Sequence, residues 1–239
     1  MKKTLVKSPD ALSDFESKIM RPMQRGRFIK YLGVSTAMSA FVLAGCNDDD
    51  APSMNTAAVD LGSGDIGILN YAYLLEQLEA AFYEMAVSMP YSGISTAETS
   101  ILTDIRDHEK AHRDFFKAAL GTSAIAAVEF DFSSVDFGNR SSVLGTAKAF
   151  EDLGVSAYNG AGKLITNPAY LLLAGKIVSV EARHASAIRD LLNPFSADYA
   201  GDDVITTDTG LDLAKNPSEV LSAAGAFVKN TVNFDKLPS

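Results

Sequence analysis

Residues 107–116 read DHEKAHRDFF and place Glu109 and His112 three residues apart in a segment with helical periodicity. Three residues is just under one helical turn, so the two side chains share a face and can reach one common point. Alone, such a pair is common on solvated helices. It gains weight from residues 178–190, VSVEARHASAIRD, where Glu181 and His184 repeat the spacing. The chain has three histidines and ten glutamates in 239 residues. Two of three histidines carrying a glutamate three positions earlier by accident has a chance below roughly 1%.

Working outward, the apolar residues recur at helical spacing in four blocks of about 25 residues. The first runs from Asp65 to Met89 and is stopped by Pro90; the second runs from Ser95, with a Ser-Thr-Ala-Glu capping box, to Gly121. The third spans Ser141 to Ile165, and the fourth starts at Pro168 and ends near Leu192. Each helix would be about 37 Å long. Short turns join the first pair and the second pair, making two antiparallel hairpins. Between them lie residues 122–140, long enough to run the length of a bundle. Two hairpins joined by one long crossover predict an all-α, ferritin-like four-helix bundle over residues 65–192. Phe130, Phe132 and Phe137 would pin the crossover to the outside of that bundle.

The first and third blocks complete the pattern. Glu76 precedes Tyr83 by seven residues, and Glu151 precedes Tyr158 by seven. The order is E-x6-Y, E-x-x-H, crossover, E-x6-Y, E-x-x-H, a duplication visible in the chemistry-bearing residues. Four carboxylates and two imidazoles facing one another in a bundle core would be costly to desolvate. Two divalent cations would remove that cost, and an oxygen-rich set with one imidazole per ion suits iron or manganese better than structural zinc. The candidate metal ligands are Glu76, Glu109, His112, Glu151, Glu181 and His184. Glu79, one turn from Glu76, is an alternative to it. His108 reads as a surface residue or an outer partner, Glu84 and Asp107 as solvated helix charges, and Tyr71, Tyr73 and Phe82 as packing residues.

On these residues the segment 65–192 resembles the ferritin-like superfamily. ILNYAYLLEQLEAAFY (68–83) and AFEDLGVSAYNGA (149–161) resemble the bacterial and plant ferritin-like-domain proteins that include the desiccation-related proteins. The resemblance implies Glu76 and Glu151 as terminal ligands, Glu109 and Glu181 as bridging ligands, and His112 and His184 as one imidazole for each ion. It also implies that Tyr83 and Tyr158 lie buried near the site, as hydrogen-bond partners or radical-prone phenols. Two Fe or two Mn ions would handle O2 or peroxide, or oxidise Fe(II), in a ferroxidase-, peroxidase- or catalase-like reaction. The alternative is a stress-related structural or partner-binding module in which the metals only stabilise the bundle.

The rest of the chain bears on location. The formal charge is −9, but eight of the 21 Lys/Arg and only three of the 30 Asp/Glu fall in residues 1–45. The remainder, with 13 basic and 27 acidic residues, should repel nucleic acid and anionic membrane surfaces. Residues 1–45 read as an export signal: a basic segment, then about fifteen mostly apolar residues from Tyr31, then small residues. LAGC (43–46) resembles the bacterial lipobox, with Cys46 as the acylated residue. RGRFIKYLG (25–33) resembles a twin-arginine motif, except that Gly26 stands where the second arginine would be. Residues 46–64 read as a flexible tether, so the expected location is the cell envelope, on the periplasmic side, with the lipid as the only membrane contact. A homo-oligomer is left open. Residues 193–239 form an extension with one short helix near 218–228 and no assigned function.

Overall fold

The computed structural model describes residues 58–239. The export segment, Cys46 and the tether as far as residue 57 lie outside them. The described chain begins with strand β1 (Val59–Asp60), followed by helices α1 (Gly64–Ser88), α2 (Thr96–Leu120), α3 (Arg140–Gly162) and α4 (Pro168–Leu192). The short helix α5 (Pro217–Ala224) and strand β2 (Val232–Asn233) complete it. The architecture is an all-α four-helix bundle. Helix α1 packs chiefly on α2 and α3 chiefly on α4, with further contacts between α1 and α3 and between α2 and α4. No helix among the described residues is long and apolar enough to cross a membrane.

The helix limits follow local chemistry. Ser95 Oγ accepts from the Glu98 N–H at 3.1 Å and Glu98 Oε2 accepts from the Ser95 N–H at 2.9 Å, a complete capping box. Asn139 and Asn167 each accept a backbone N–H at the start of α3 and α4, and Pro168 fills the first turn of α4. Gly121, at φ 55°, ends α2 in a conformation that an L side chain resists.

The crossover is held by polar side chains that helical periodicity does not single out. Asn70 Oδ1 accepts from the Ile125 N–H, while its Nδ2 donates to the carbonyls of Leu61 and Ser123. Gln77 Oε1 accepts from the Val128 N–H. Beyond these, Phe132 and Phe137 enter an aromatic cluster with Phe82, Phe150 and Phe227, with ring centroids 4.8–6.5 Å apart. Phe130 stacks on Phe132 with ring centroids 6.1 Å apart, and its backbone forms an isolated bridge with Val228.

One reading of the ends is adjusted. The tether was expected to run to residue 64, yet β1 pairs in parallel with β2 (Val59 with Val232, Asp60 with Asn233) and Leu61 is fully buried. Backbone pairing and one apolar anchor fix the chain before α1 begins. The extension is also bound to the bundle: Arg189 of α4, 2% exposed at its side chain, reaches Asp152 on α3 and Asp203 in the extension, each through two hydrogen bonds. A Cβ on Gly160 would stand 1.8 Å from the Lys215 carbonyl oxygen, so glycine permits the extension to lie directly on α3.

Two outcomes test these attachments. Gly160→Ala should cost about 1–3 kcal/mol by overpacking and make residues 197–216 sensitive to limited proteolysis while helical circular dichroism persists. Glu98 is held at about 2, first by the Ser95 N–H and then by Arg140, against an ordinary value of 4.5. A depressed carboxylate stabilises the fold above its unfolded value and loses that contribution as pH falls through the folded value. The stability difference between wild type and Glu98→Gln should therefore shrink between pH 4.5 and pH 2 in denaturant titrations.

Candidate metal centre

Half of the chain's ten glutamates are buried in one place. Glu76, Glu109, Glu151 and Glu181 are fully buried, Glu79 is 3% exposed and His184 4%. Helical spacing explains the convergence: Glu109 and His112 face inward from α2, Glu181 and His184 from α4, and α1 and α3 each add one glutamate at the same level. Apolar layers close both sides. Leu102, Ile105, Leu144, Ala147 and Ile188 lie toward one end, and Phe116, Leu120 and Ile177 toward the other.

The six residues form two overlapping groups. Ligand atoms of Glu76, Glu109, His112 and Glu181 lie within 4.8 Å of one another, as do those of Glu109, Glu151, Glu181 and His184. Glu109 and Glu181 belong to both. His112 Nδ1 lies 2.9 Å from Glu181, 3.3 Å from Glu76 and 3.6 Å from Glu109. His184 Nδ1 lies 2.8 Å from Glu109, 3.5 Å from Glu151 and 3.8 Å from Glu181. These atoms are close enough for ion pairing, yet eight of them have no partner in hydrogen-bonding geometry. Their lone pairs converge on a common space rather than on one another. That is the arrangement a pair of cations would satisfy, and oxygen ligands with one imidazole each fit Fe or Mn.

Glu79 lies outside both groups. Its Oε1 would be 3.0 Å from a Cβ on Gly154, so the missing side chain there makes room for it. Both tyrosines are buried beside the cluster as hydrogen-bond donors, and each serves the glutamate of the other helix. Tyr83 donates to Glu151 Oε1 at 2.6 Å, and Tyr158 donates to Glu76 Oε1. Two helical turns separate Glu76 from Tyr83 by about 10.5 Å along one axis, too far for a direct bond. Antiparallel α1 and α3 bring each phenol level with the other helix's carboxylate.

His108 on α2 is both exposed and an outer partner of a ligand, with its Nδ1 2.9 Å from His184 Nε2. The ring centroids are 5.2 Å apart and the planes differ by 10°. That separation fits two rings lying end to end across the nitrogen–nitrogen contact. The signal available in the sequence was its place one turn before His112.

The electrostatics follow from burial of like charges. Burial raises Glu109 and Glu79 well above the usual carboxylate range, and the neighbouring carboxylates add to the effect. Burial also pushes Glu151 up to about 7, against the pull of His184. At Glu181 burial is outweighed by His112 and His184, which bring it down to about 2. His184 is pushed up to about 12, the carboxylates Glu109, Glu151 and Glu181 outweighing burial, and His112 is raised in the same way. Burial, with Glu151 beside one and Glu76 beside the other, keeps Tyr83 and Tyr158 protonated. With protons as the only counter-charge, both imidazoles hold theirs at neutral pH.

The profile of the ferritin-like domain family matches residues 64–194. The chain belongs to that family. No characterised protein matches its sequence. Within this ferritin-like domain the matched stretch covers all four bundle helices and every residue of the cluster. Two hollows of about 300 and 210 Å3 lie under the extension, and neither is lined by a residue of the metal cluster.

Metal binding to this ferritin-like centre must displace the imidazole protons. Loading divalent ions at pH 7 should release more than two protons per chain, from both imidazoles and from the raised carboxyls of Glu109 and Glu151, measurable in weakly buffered solution with a pH indicator. Apparent affinity should rise with pH between 6 and 8, because raised imidazole values mean protons compete at all lower pH. Tyr83→Phe should preserve the fold and weaken binding at the position that includes Glu151 by roughly 10-fold, read by competition with a chelator.

Proposed function

We propose that the protein is an exported, lipid-anchored ferritin-like protein with a di-iron or di-manganese carboxylate centre that oxidises Fe(II) or consumes peroxide in the cell envelope. The observation that carries the centre is the convergence of eight buried, unpartnered ligand atoms from six residues on four helices. Glu109 and Glu181, common to both groups, would bridge the ions; Glu76 with His112 would complete one position, and Glu151 with His184 the other. Two such ions supply a two-electron couple suited to O2 or peroxide, or an oxidising centre for Fe(II).

The chain's own residues set the conditions for that chemistry. Tyr83 and Tyr158 hold Glu151 and Glu76 in fixed orientations through their O–H groups. The apolar layers of Leu102, Ile105, Leu144, Phe116 and Ile177 exclude bulk water and other reductants. The cluster lines neither of the two hollows under the extension, which favours a reactant of a few atoms over an organic substrate. Export and acylation at Cys46 are supported by the basic-apolar head and the LAGC sequence.

The test is metal content followed by turnover. Protein reconstituted with Fe(II) or Mn(II) should bind two equivalents per chain and oxidise Fe(II) in the presence of O2, or consume H2O2. Glu109→Ala, which removes a ligand from both positions, should abolish that turnover. Binding below one equivalent would end the proposal. Two equivalents that raise Tm without any turnover would favour the structural role, in which the ions relieve buried carboxylate repulsion and do no more.

A further inference from the structure

One break in the sequence duplication around the centre touches a ligand. Glu109 is preceded by His108, whereas Glu181, its counterpart on α4, is preceded by Val180. His108 Nδ1 meets His184 Nε2 at 2.9 Å with the two rings nearly coplanar. Among the described residues no hydrogen bond is formed to the outer ring nitrogen of His112. One imidazole of the centre is therefore held from behind and the other is not.

We propose that His108 is a positioning residue that makes the two metal positions inequivalent, so that the ion held by Glu151 and His184 binds first and more tightly. This rests on the reading of the cluster as a two-metal centre. With Nε2–H of His184 donated to His108, the proton is fixed on that nitrogen and Nδ1 is the one presented to Glu109, Glu151 and Glu181. The ring cannot flip without losing the bond, and an outer hydrogen bond raises ligand basicity. His112 has neither restraint, and its side chain is 13% exposed against 5% for His184. The position containing His112 is then the later one to fill and the first to empty.

The experiment is a titration of the full chain with Mn(II), following the free ion by electron paramagnetic resonance. Wild type should show two binding steps. His108→Leu, at an exposed position, should keep the fold by circular dichroism, weaken the first step by about 10-fold or more, and leave the second unchanged. His108→Asn, which keeps an acceptor near the same place, should restore most of the first step. In His112→Ala the remaining ion should keep its sensitivity to His108→Leu. A His108→Leu variant that weakens the second step alone, weakens both equally or changes neither overturns the inference, as does failure of asparagine to rescue. Wild type binding less than one equivalent overturns the two-metal reading itself, a result distinct from two equivalents with no dependence on His108.

Discussion

Five carboxyl groups share the dry interior of this bundle, and everything else in the molecule is arranged around that fact. Removing one ionised carboxylate from water costs several kcal/mol even after relaxation. Two imidazoles and two phenols answer part of the demand, since His112 and His184 lie among the carboxylates and Tyr83 and Tyr158 donate to two of them. Oxygen atoms of Glu76, Glu109, Glu151 and Glu181 remain unpartnered. A core built only for stability would replace such residues with apolar ones of similar volume, a change that is often neutral or favourable. Their presence therefore fits a centre that could hold cations, and the absence of a side chain at Gly154 keeps space for the fifth carboxyl beside them.

A strained electrostatic centre needs a frame that does not give way. The frame is fastened by polar groups at points where hairpins and loops meet. Asp65 accepts the N–H groups of Thr166 and Asn167, so the start of α1 holds the turn between α3 and α4. Asn70 and Gln77 hold the beginning of the crossover against α1. Arg189 ties α4 to α3 and to the extension, and β1 with β2 joins the two ends of the described chain. The aromatic cluster from Phe82 to Phe227 fills the space that these bonds enclose. Directional bonds at the margins and dispersion inside restrict the movement of helices that would otherwise be pushed apart by their own charges.

The bundle and its cluster were legible because helical periodicity is a local property and a ligand set repeats its spacing on each hairpin. The helix limits at Thr96, Leu120, Pro168 and Leu192 lie within a residue of those read from Ser95, Gly121, Pro168 and Pro194. The partnering of the tyrosines was not legible. E-x6-Y reports a shared helix face, but which carboxylate a phenol meets depends on the antiparallel level of α1 and α3, a relation between segments about 75 residues apart in sequence. His108 was legible as a surface residue or outer partner, but which imidazole it meets was not. Its backbone position faces outward, and only the length of two imidazole rings brings it to His184. The fixed end of the tether and the seat of the extension likewise depend on partners that no local pattern names, such as Val232 for Val59 and Lys215 for Gly160.

The crossed tyrosines carry a consequence for how the protein matures. Each metal group takes three residues from one hairpin and a single glutamate from the other, and each phenol serves the opposite hairpin's carboxylate. A hairpin folded by itself thus has an incomplete coordination set and an unsupported terminal glutamate. Docking of the two halves and assembly of the full ligand set become one event, and a partly folded chain presents neither group complete. The ligand set is thus assembled by the same connectivity that docks the two hairpins.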